Sequence, residues 1–146
     1  MEPTFRVAQV TDLDTVLVFM QELFLEDRLP DQCAFDSFRA RSALKDLVTD
    51  PSRGIVWLIC DGDAAVSYLV LTFGYSLEFH GRDAFIDEVY IRPTHRSRGW
   101  ALSRWDMPKL LQSQKTYGPS IWKSVVETYP HRHSTEKRDT RIMTDT

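Results

Sequence analysis

Residues 54 to 75 constrain the fold more than any other stretch. GIVWLIC is followed by Asp61-Gly62-Asp63 and then by AVSYLVLTFGY. Both apolar runs are rich in β-branched and aromatic residues, and an Asp-Gly pair between such runs is a strong signal for a β-hairpin. Glycine accepts the positive φ that the tight turn needs, where a side chain would clash. The spacing therefore predicts an antiparallel ribbon at the centre of the chain.

The other elements are placed around it. TFRVAQV, residues 4 to 10, alternates apolar and polar side chains as a half-buried strand does. Thr11 and Asp12 suit a helix N-cap, and LDTVLVFMQELFLEDR then repeats its apolar positions at helical spacing until Leu29-Pro30 breaks the pattern. FDSFRARSALKDLV predicts a second helix, with Asp50-Pro51 as its exit. Beyond the hairpin, SLEFHGRD reads as a turn and AFIDEVYIRP as a fourth strand. The predicted order is β, α, α, β, β, β, and then a helix opening near residue 96.

Length and composition exclude several classes. A chain of 146 residues suits one domain with a real core. A net charge of -3 gives no general reason to expect nucleic acid, and no apolar run has the length of a membrane span. The N-terminus MEPTFRVAQ lacks a signal-peptide pattern, and Cys33 and Cys60 form no metal-ligand spacing. These features lead to the expectation of a cytoplasmic protein with reduced thiols and no metal. His80, His131 and His133 show no usable ligand geometry, and His95 is expected to be solvated.

The turn after the fourth strand carries the chemistry. Arg96-Ser97-Arg98-Gly99-Trp100-Ala101 has the form R-x-x-G-x-A between a strand and a helix. The first backbone N–H groups of a helix have no internal partner, and the helix dipole adds partial positive charge there. Gly99 permits close approach of the backbone, Ala101 leaves the helix start uncrowded, and Arg96 and Arg98 add charge. Such a turn can cradle phosphate oxygens. Taken alone, the hexapeptide also reads as a solvated basic turn.

With its preceding strand, the segment FIDEVYIRPTHRSRGWA resembles the central motif of the GCN5-related N-acetyltransferases (GNAT), in which an acidic-apolar strand runs into Q/R-x-x-G-x-G/A and a helix. The match is specific at Arg96, Gly99 and Ala101, and the resemblance covers about residues 4 to 102. It implies an α/β fold, an α+β mixed sheet in GNAT-like β-α-α-β-β-β-α order. It also implies acetyl-CoA as co-substrate and transfer of its acetyl group to a primary amine of a small molecule or peptide, with neither nucleic acid nor membrane as partner. Val89, Tyr90 and Ile91 would then offer backbone groups to the pantetheine arm, and Arg96, Ser97, Arg98, Gly99, Trp100 and Ala101 would hold the pyrophosphate.

An amine must be neutral to attack, so a base must take its proton. Asp87 and Glu88 are adjacent on the predicted strand, and simple alternation places them on opposite faces. Alternation puts Asp87 with Phe85, Val89 and Ile91, the side that carries the acidic residue in similar GNAT members. Asp87 is therefore the first candidate for the base, and Glu88 the second. Glu78 in the preceding turn would help position a cationic amine. Each of these also fits a solvated or salt-bridged carboxylate.

From residue 103 the resemblance stops. GNAT members continue with a strand of L-x-V type, a helix bearing an Asn and a Leu-Tyr pair, and a Gly-Phe or Gly-Tyr turn. Residues 103 to 146 carry none of these in order. Reading the degenerate codons one position out of phase restores them: residues 121 to 124 permit L-E-V, with Glu forced by Trp122-Lys123, and the following residues permit N-L-P-A-x-A-L-Y-R-K-A-G-Y. The inference is a slip of reading frame near Ala101 to Arg104, by the equivalent of a single lost nucleotide. The expected organisation is an incomplete GNAT-like domain over 1–112 and a poorly ordered tail over 113–146. The fold's last strands and helix would be missing or replaced, and the edge of the fourth strand unpaired. A second reading of different class follows, a non-catalytic remnant or interaction protein.

Overall fold

The central hairpin forms as the Asp-Gly signal requires. In the computed structural model, which describes residues 3–28, 33–77, 81–96 and 141–143, β2 (Gly54–Asp61) pairs antiparallel with β3 (Ala64–Ser76). Asp61 pairs with Ala64, and Gly62 between them takes φ 62°. Glycine supplies that left-handed conformation without a Cβ clash.

The other strands extend this ribbon on both sides. β1 (Thr4–Val7) pairs with β2, β4 (Gly81–Ile91) with β3, and β5 (Arg141–Met143) with β4, in the order β1-β2-β3-β4-β5. Every pairing among the described residues is antiparallel, within the expected β-α-α-β-β-β order of elements. β3 and β4 run on further than the sequence suggests. Their ladder continues through Tyr75–Arg82 to Ser76–Gly81, which shortens the expected turn. From the tail, expected to be poorly ordered, β5 pairs with Asp83, Ala84 and Phe85. The edge of β4 is therefore covered at its start.

α1 (Leu13–Asp27) and α2 (Ser37–Thr49) lie between β1 and β2 in the chain. β1 ends earlier than alternation implies, because Val10–Asp12 turn into a single 3-10 helix. Asp12 serves that corner rather than capping α1 with its side chain. Its carboxylate accepts from Arg6 Nη1 and Nη2 at 2.7 and 2.8 Å and from the Gln9 amide at 2.8 Å. Asp36 caps α2 by accepting from the Arg39 amide at 3.0 Å.

The core divides into two clusters by strand alternation. Val56, Leu58 and Cys60 of β2 pack with Tyr68, Val70, Tyr90 and the buried residues Leu13, Val16, Phe19 and Leu44 of the helices. Ile55, Trp57 and Ile59 pack with Leu69, Leu71, Ala84 and Ile86 in the other cluster. Both sets of β2 side chains are buried, which is why GIVWLIC is a continuous apolar run rather than an alternating one. Each large side chain buried there stabilises the fold by about 1.5–3 kcal/mol relative to exposure.

Candidate active site

β4 carries the candidate residues, and its register with β3 is broken at one point. Val70 pairs with Glu88 and Leu71 with Ile86, so Asp87 is an extra residue, a β-bulge. The bulge resets the alternation. Ala84 and Ile86 before it and Val89 and Ile91 after it all meet the Trp57 cluster, whereas Tyr90 belongs to the helix-side cluster. The expectation that Asp87 shares a face with Val89 and Ile91 therefore fails, because it assumed an unbroken period of two. Asp87 is exposed and close enough to raise the Tyr68 pKa by its charge, as Glu88 does. Both carboxylates thus act on the phenol of a helix-side residue.

Glu88 is half-buried, and its Oε2 accepts from the Tyr68 hydroxyl at 2.7 Å. Burial first, then the Glu88 charge and this hydrogen bond, push the Tyr68 pKa far above the ordinary phenol range. Tyr68 is fully buried and stacks on Phe19 with centroids 6.0 Å apart and planes 6° apart. Tyr90 lies 6.5 Å from Tyr68 and 6.1 Å from Phe19, so the three rings meet one another.

Backbone directions along β4 follow from one hydrogen bond. Arg92 N–H donates to Val66 C=O at 3.0 Å, so residues 92, 90 and 88 form the hydrogen-bonded pairs with β3. Val89 and Ile91 fall on the alternate positions, where N–H and C=O point away from β3. The Tyr90 carbonyl faces β3 and accepts from the buried Ser67 hydroxyl at 2.7 Å. Of the three residues expected to meet the pantetheine arm, Tyr90 is thus turned the wrong way. Val89 and Ile91 turn these groups away from β3, and the Ile91 carbonyl accepts from Arg96. Among the described residues β5 reaches only Asp83–Phe85, so no described strand pairs with the edge at Val89 and Ile91.

The end of β4 is clamped to α1. Glu22 and Glu26, one turn apart on α1, meet Arg92 and Arg96, four residues apart beyond the strand. Arg92 Nη2 lies 3.1 Å from Glu22, and its guanidinium sits 4.8 Å from the Phe19 ring centroid. Arg96 Nη2 donates to both Glu26 oxygens at 2.6 and 2.7 Å, its Nε donates to Ile91 C=O at 2.8 Å, and it lies 5.5 Å from the Tyr90 ring centroid. Arg96, expected on phosphate, is thus engaged in fixing the turn that leads to residues 97–101. The Tyr90 hydroxyl is pushed up to about 12, by burial first and then by its hydrogen bond to Glu22.

His95 is not solvated as expected. Its Nε2 lies 3.2 Å from Asp61 Oδ2 and its Nδ1 2.8 Å from the Thr94 hydroxyl, which ties the turn Pro93–His95 to the end of β2. Glu78, His80, Ser97, Arg98, Gly99, Trp100, Ala101, His131 and His133 lie outside the described residues, as does the segment assigned to the frame slip apart from β5. Among the described residues no group of three or more His, Cys, Asp or Glu could hold a metal, and no helix is long and apolar enough to cross a membrane.

Sequence reasoning missed Tyr68, Glu22, Glu26 and Arg92. A signal for the clamp was present, since Phe19, Glu22 and Glu26 recur at helical spacing and Arg92 and Arg96 match the interval of the two carboxylates. No comparable signal links Tyr68 to Glu88, which are twenty residues apart.

No protein-family model matches the chain, and no curated protein matches it in sequence. Solved structures do. An integron cassette protein from the mobile metagenome of Cole Harbour salt marsh is 25% identical, with 92% of this chain and 86% of that one covered and a TM-score of 0.66. A predicted acetyltransferase from Clostridium acetobutylicum, solved with acetyl-CoA, is 13% identical over 94% of this chain and 95% of that one, with a TM-score of 0.63. A GCN5-related N-acetyltransferase from Ralstonia eutropha JMP134 is 15% identical over 94% and 97%, with a TM-score of 0.59. Two helices inserted between the first strands of an antiparallel sheet, and a bulged fourth strand leading to R-x-x-G-x-A, are thus accounted for together: the chain has the fold of the GCN5-related N-acetyltransferases.

Proposed function

We propose that the chain is an N-acetyltransferase that moves the acetyl group of acetyl-CoA to a primary amine of a small molecule or peptide. The observation that carries this reading is the edge of β4. Beyond Phe85, where β5 ends, the bulge holds two carboxylates while Val89 and Ile91 turn backbone groups off the sheet. Acetyl-CoA supplies the activated acetyl group, and its pantetheine amides suit an edge of this kind as an added strand would. The Glu22–Arg92 and Glu26–Arg96 pairs fix where the strand ends and the R-x-x-G-x-A turn begins. Residues 97–101 would receive the pyrophosphate on their backbone amides. Asp87 and Glu88 supply the carboxylates needed to attract a cationic amine and take its proton. Cys33 and Cys60 are unpaired thiols, which suits a cytoplasmic protein.

Calorimetry tests the reading. Acetyl-CoA is expected to bind with a Kd on the order of micromolar, and Gly99→Trp is expected to abolish that binding. Absence of heat with the parent protein refutes it. A second reading, a remnant without catalysis, is favoured by residues 103–146, which lack the GNAT tyrosine motif for the thiolate acid. Binding of acetyl-CoA without transfer to any primary amine would select a donor-binding but inactive chain, and no binding would select the remnant.

A further inference from the structure

We infer that Tyr68 is a positioning residue for proton removal, its hydroxyl holding Glu88, rather than the neighbouring Asp87, as the carboxylate that takes the proton from the acceptor amine. The inference rests on the acetyltransferase reading and assigns the roles of two carboxylates that the reading leaves equivalent.

The argument begins with the bulge. An unbroken strand would separate Asp87 and Glu88 across the sheet, but the extra residue breaks that alternation, and both carboxylates bear on the Tyr68 phenol. A fixed hydrogen-bond donor on one of two adjacent carboxylates gives that carboxylate a set direction, and this distinguishes it from its neighbour. That donor is Tyr68. Its ring is fully buried, stacked on Phe19 and flanked by Tyr90, so the hydroxyl has little freedom to leave the 2.7 Å contact with Glu88 Oε2. Burial keeps the phenol protonated through the working pH range, so it acts as a donor to the ionised carboxylate.

The two acids then differ in kind. Glu88 is half-buried, and the hydrogen bond from the Tyr68 hydroxyl fixes the carboxylate's direction. A general base needs that fixed geometry as well as ionisation. Asp87 is exposed and screened by water, so it suits attraction of a cationic acceptor more than directed proton transfer. During transfer one proton of the ammonium passes to Glu88, the neutral nitrogen bonds to the acetyl carbon as its carbon–sulfur bond breaks, and the second nitrogen proton goes to the departing thiolate, giving the amide and the free thiol of the coenzyme.

Two measurements on the full chain test this. The first is a carbon-NMR pH titration of the Glu88 carboxyl, assigned with Glu88→Gln, in the parent and in Tyr68→Phe. Loss of one hydrogen bond to a charged group is expected to raise the Glu88 midpoint by about one pH unit. An unchanged midpoint overturns the inference. The second is acetyl transfer from acetyl-CoA to spermidine, kanamycin and an alanyl peptide, followed by thiol release. Glu88→Gln is expected to lower kcat about 100-fold or more, and Asp87→Asn to raise KM more than it lowers kcat. The acid limb of kcat/KM in Tyr68→Phe is expected to move up in step with the NMR midpoint.

Transfer that survives Glu88→Gln, or an acid limb that stays in place in Tyr68→Phe, overturns the inference while leaving the acetyltransferase reading intact. No transfer by the parent to any of the three amines, with the NMR shift present, defeats that reading and with it the positioning role of Tyr68 in proton removal. The Tyr68–Glu88 coupling would then stand as structural. Should Tyr68→Phe fail to fold, Phe19→Leu loosens the ring without touching either polar atom and is expected to move both readouts in the same direction by less. No movement of either readout in that variant also overturns the inference.

Discussion

Deletion of Asp87 and deletion of Ile86 each remove one residue from β4, yet they should have opposite consequences. Val70 pairs with Glu88 and Leu71 with Ile86, so removing Asp87 makes these pairs consecutive without shifting any other pair. Ala84, Ile86, Val89 and Ile91 remain on the Trp57 cluster, and Glu88 and Tyr90 keep their phase. The variant loses one exposed side chain and gains a regular ladder step, so stability should stay within about 1 kcal/mol of the parent. Removing Ile86 instead takes away a side chain only 9% exposed and brings Asp87 to its position facing the cluster. Loss of a buried isoleucine costs about 2–5 kcal/mol, and burial of a carboxylate without a partner adds to this. The expected total is at least about 4 kcal/mol, or roughly 15 °C or more in Tm for a folded unit of this size. Urea denaturation followed by far-UV circular dichroism measures both. A similar loss in the two variants, or a loss above about 2 kcal/mol for the Asp87 deletion, would refute the assignment of Asp87 as the inserted residue.

Other expectations can be checked alongside. Phe19→Leu keeps an apolar side chain but removes the stack on Tyr68 and the face presented to Arg92; it should cost about 1–3 kcal/mol, read by urea denaturation. The Arg6 hydrogen bond, opposed by burial, holds Asp12 below its ordinary value, and the Gln9 amide and the Arg6 charge act in the same sense as that bond. A depressed folded-state pKa contributes stability that is fully present above the ordinary carboxylate value and is lost as pH falls through the folded value. Asp12→Asn should therefore cost about 2 kcal/mol at neutral pH, with the gap to the parent closing in acid. A Cβ at Gly54 would run into the Leu71 carbonyl oxygen and stand 3.0 Å from both Leu47 Cδ1 and Thr72 Cα. Gly54→Ala should lose at least about 2 kcal/mol, seen as a lower Tm. Restoring one nucleotide near codon 102 should yield a more stable, monodisperse protein by thermal melting and gel filtration, and equal or lower stability would count against the frame slip.

Local chemistry determined much of this protein before any coordinates. Gly62 could make a tight turn between two β-rich runs, and the apolar periodicity of 13–28 and the continuous β-rich run of 54–60 allowed few other conformations. Each of these depends on neighbours in the chain, so each was legible there. The faces of β4 were not. Alternation holds only while both strands advance together, and the extra residue at Asp87 is visible only in what β3 pairs with on either side of it. The Tyr68–Glu88 hydrogen bond and the attachment of Arg92 and Arg96 to α1 likewise join residues distant in sequence. Their energies depend on burial and distance across the sheet, and those quantities exist only once the chain has folded.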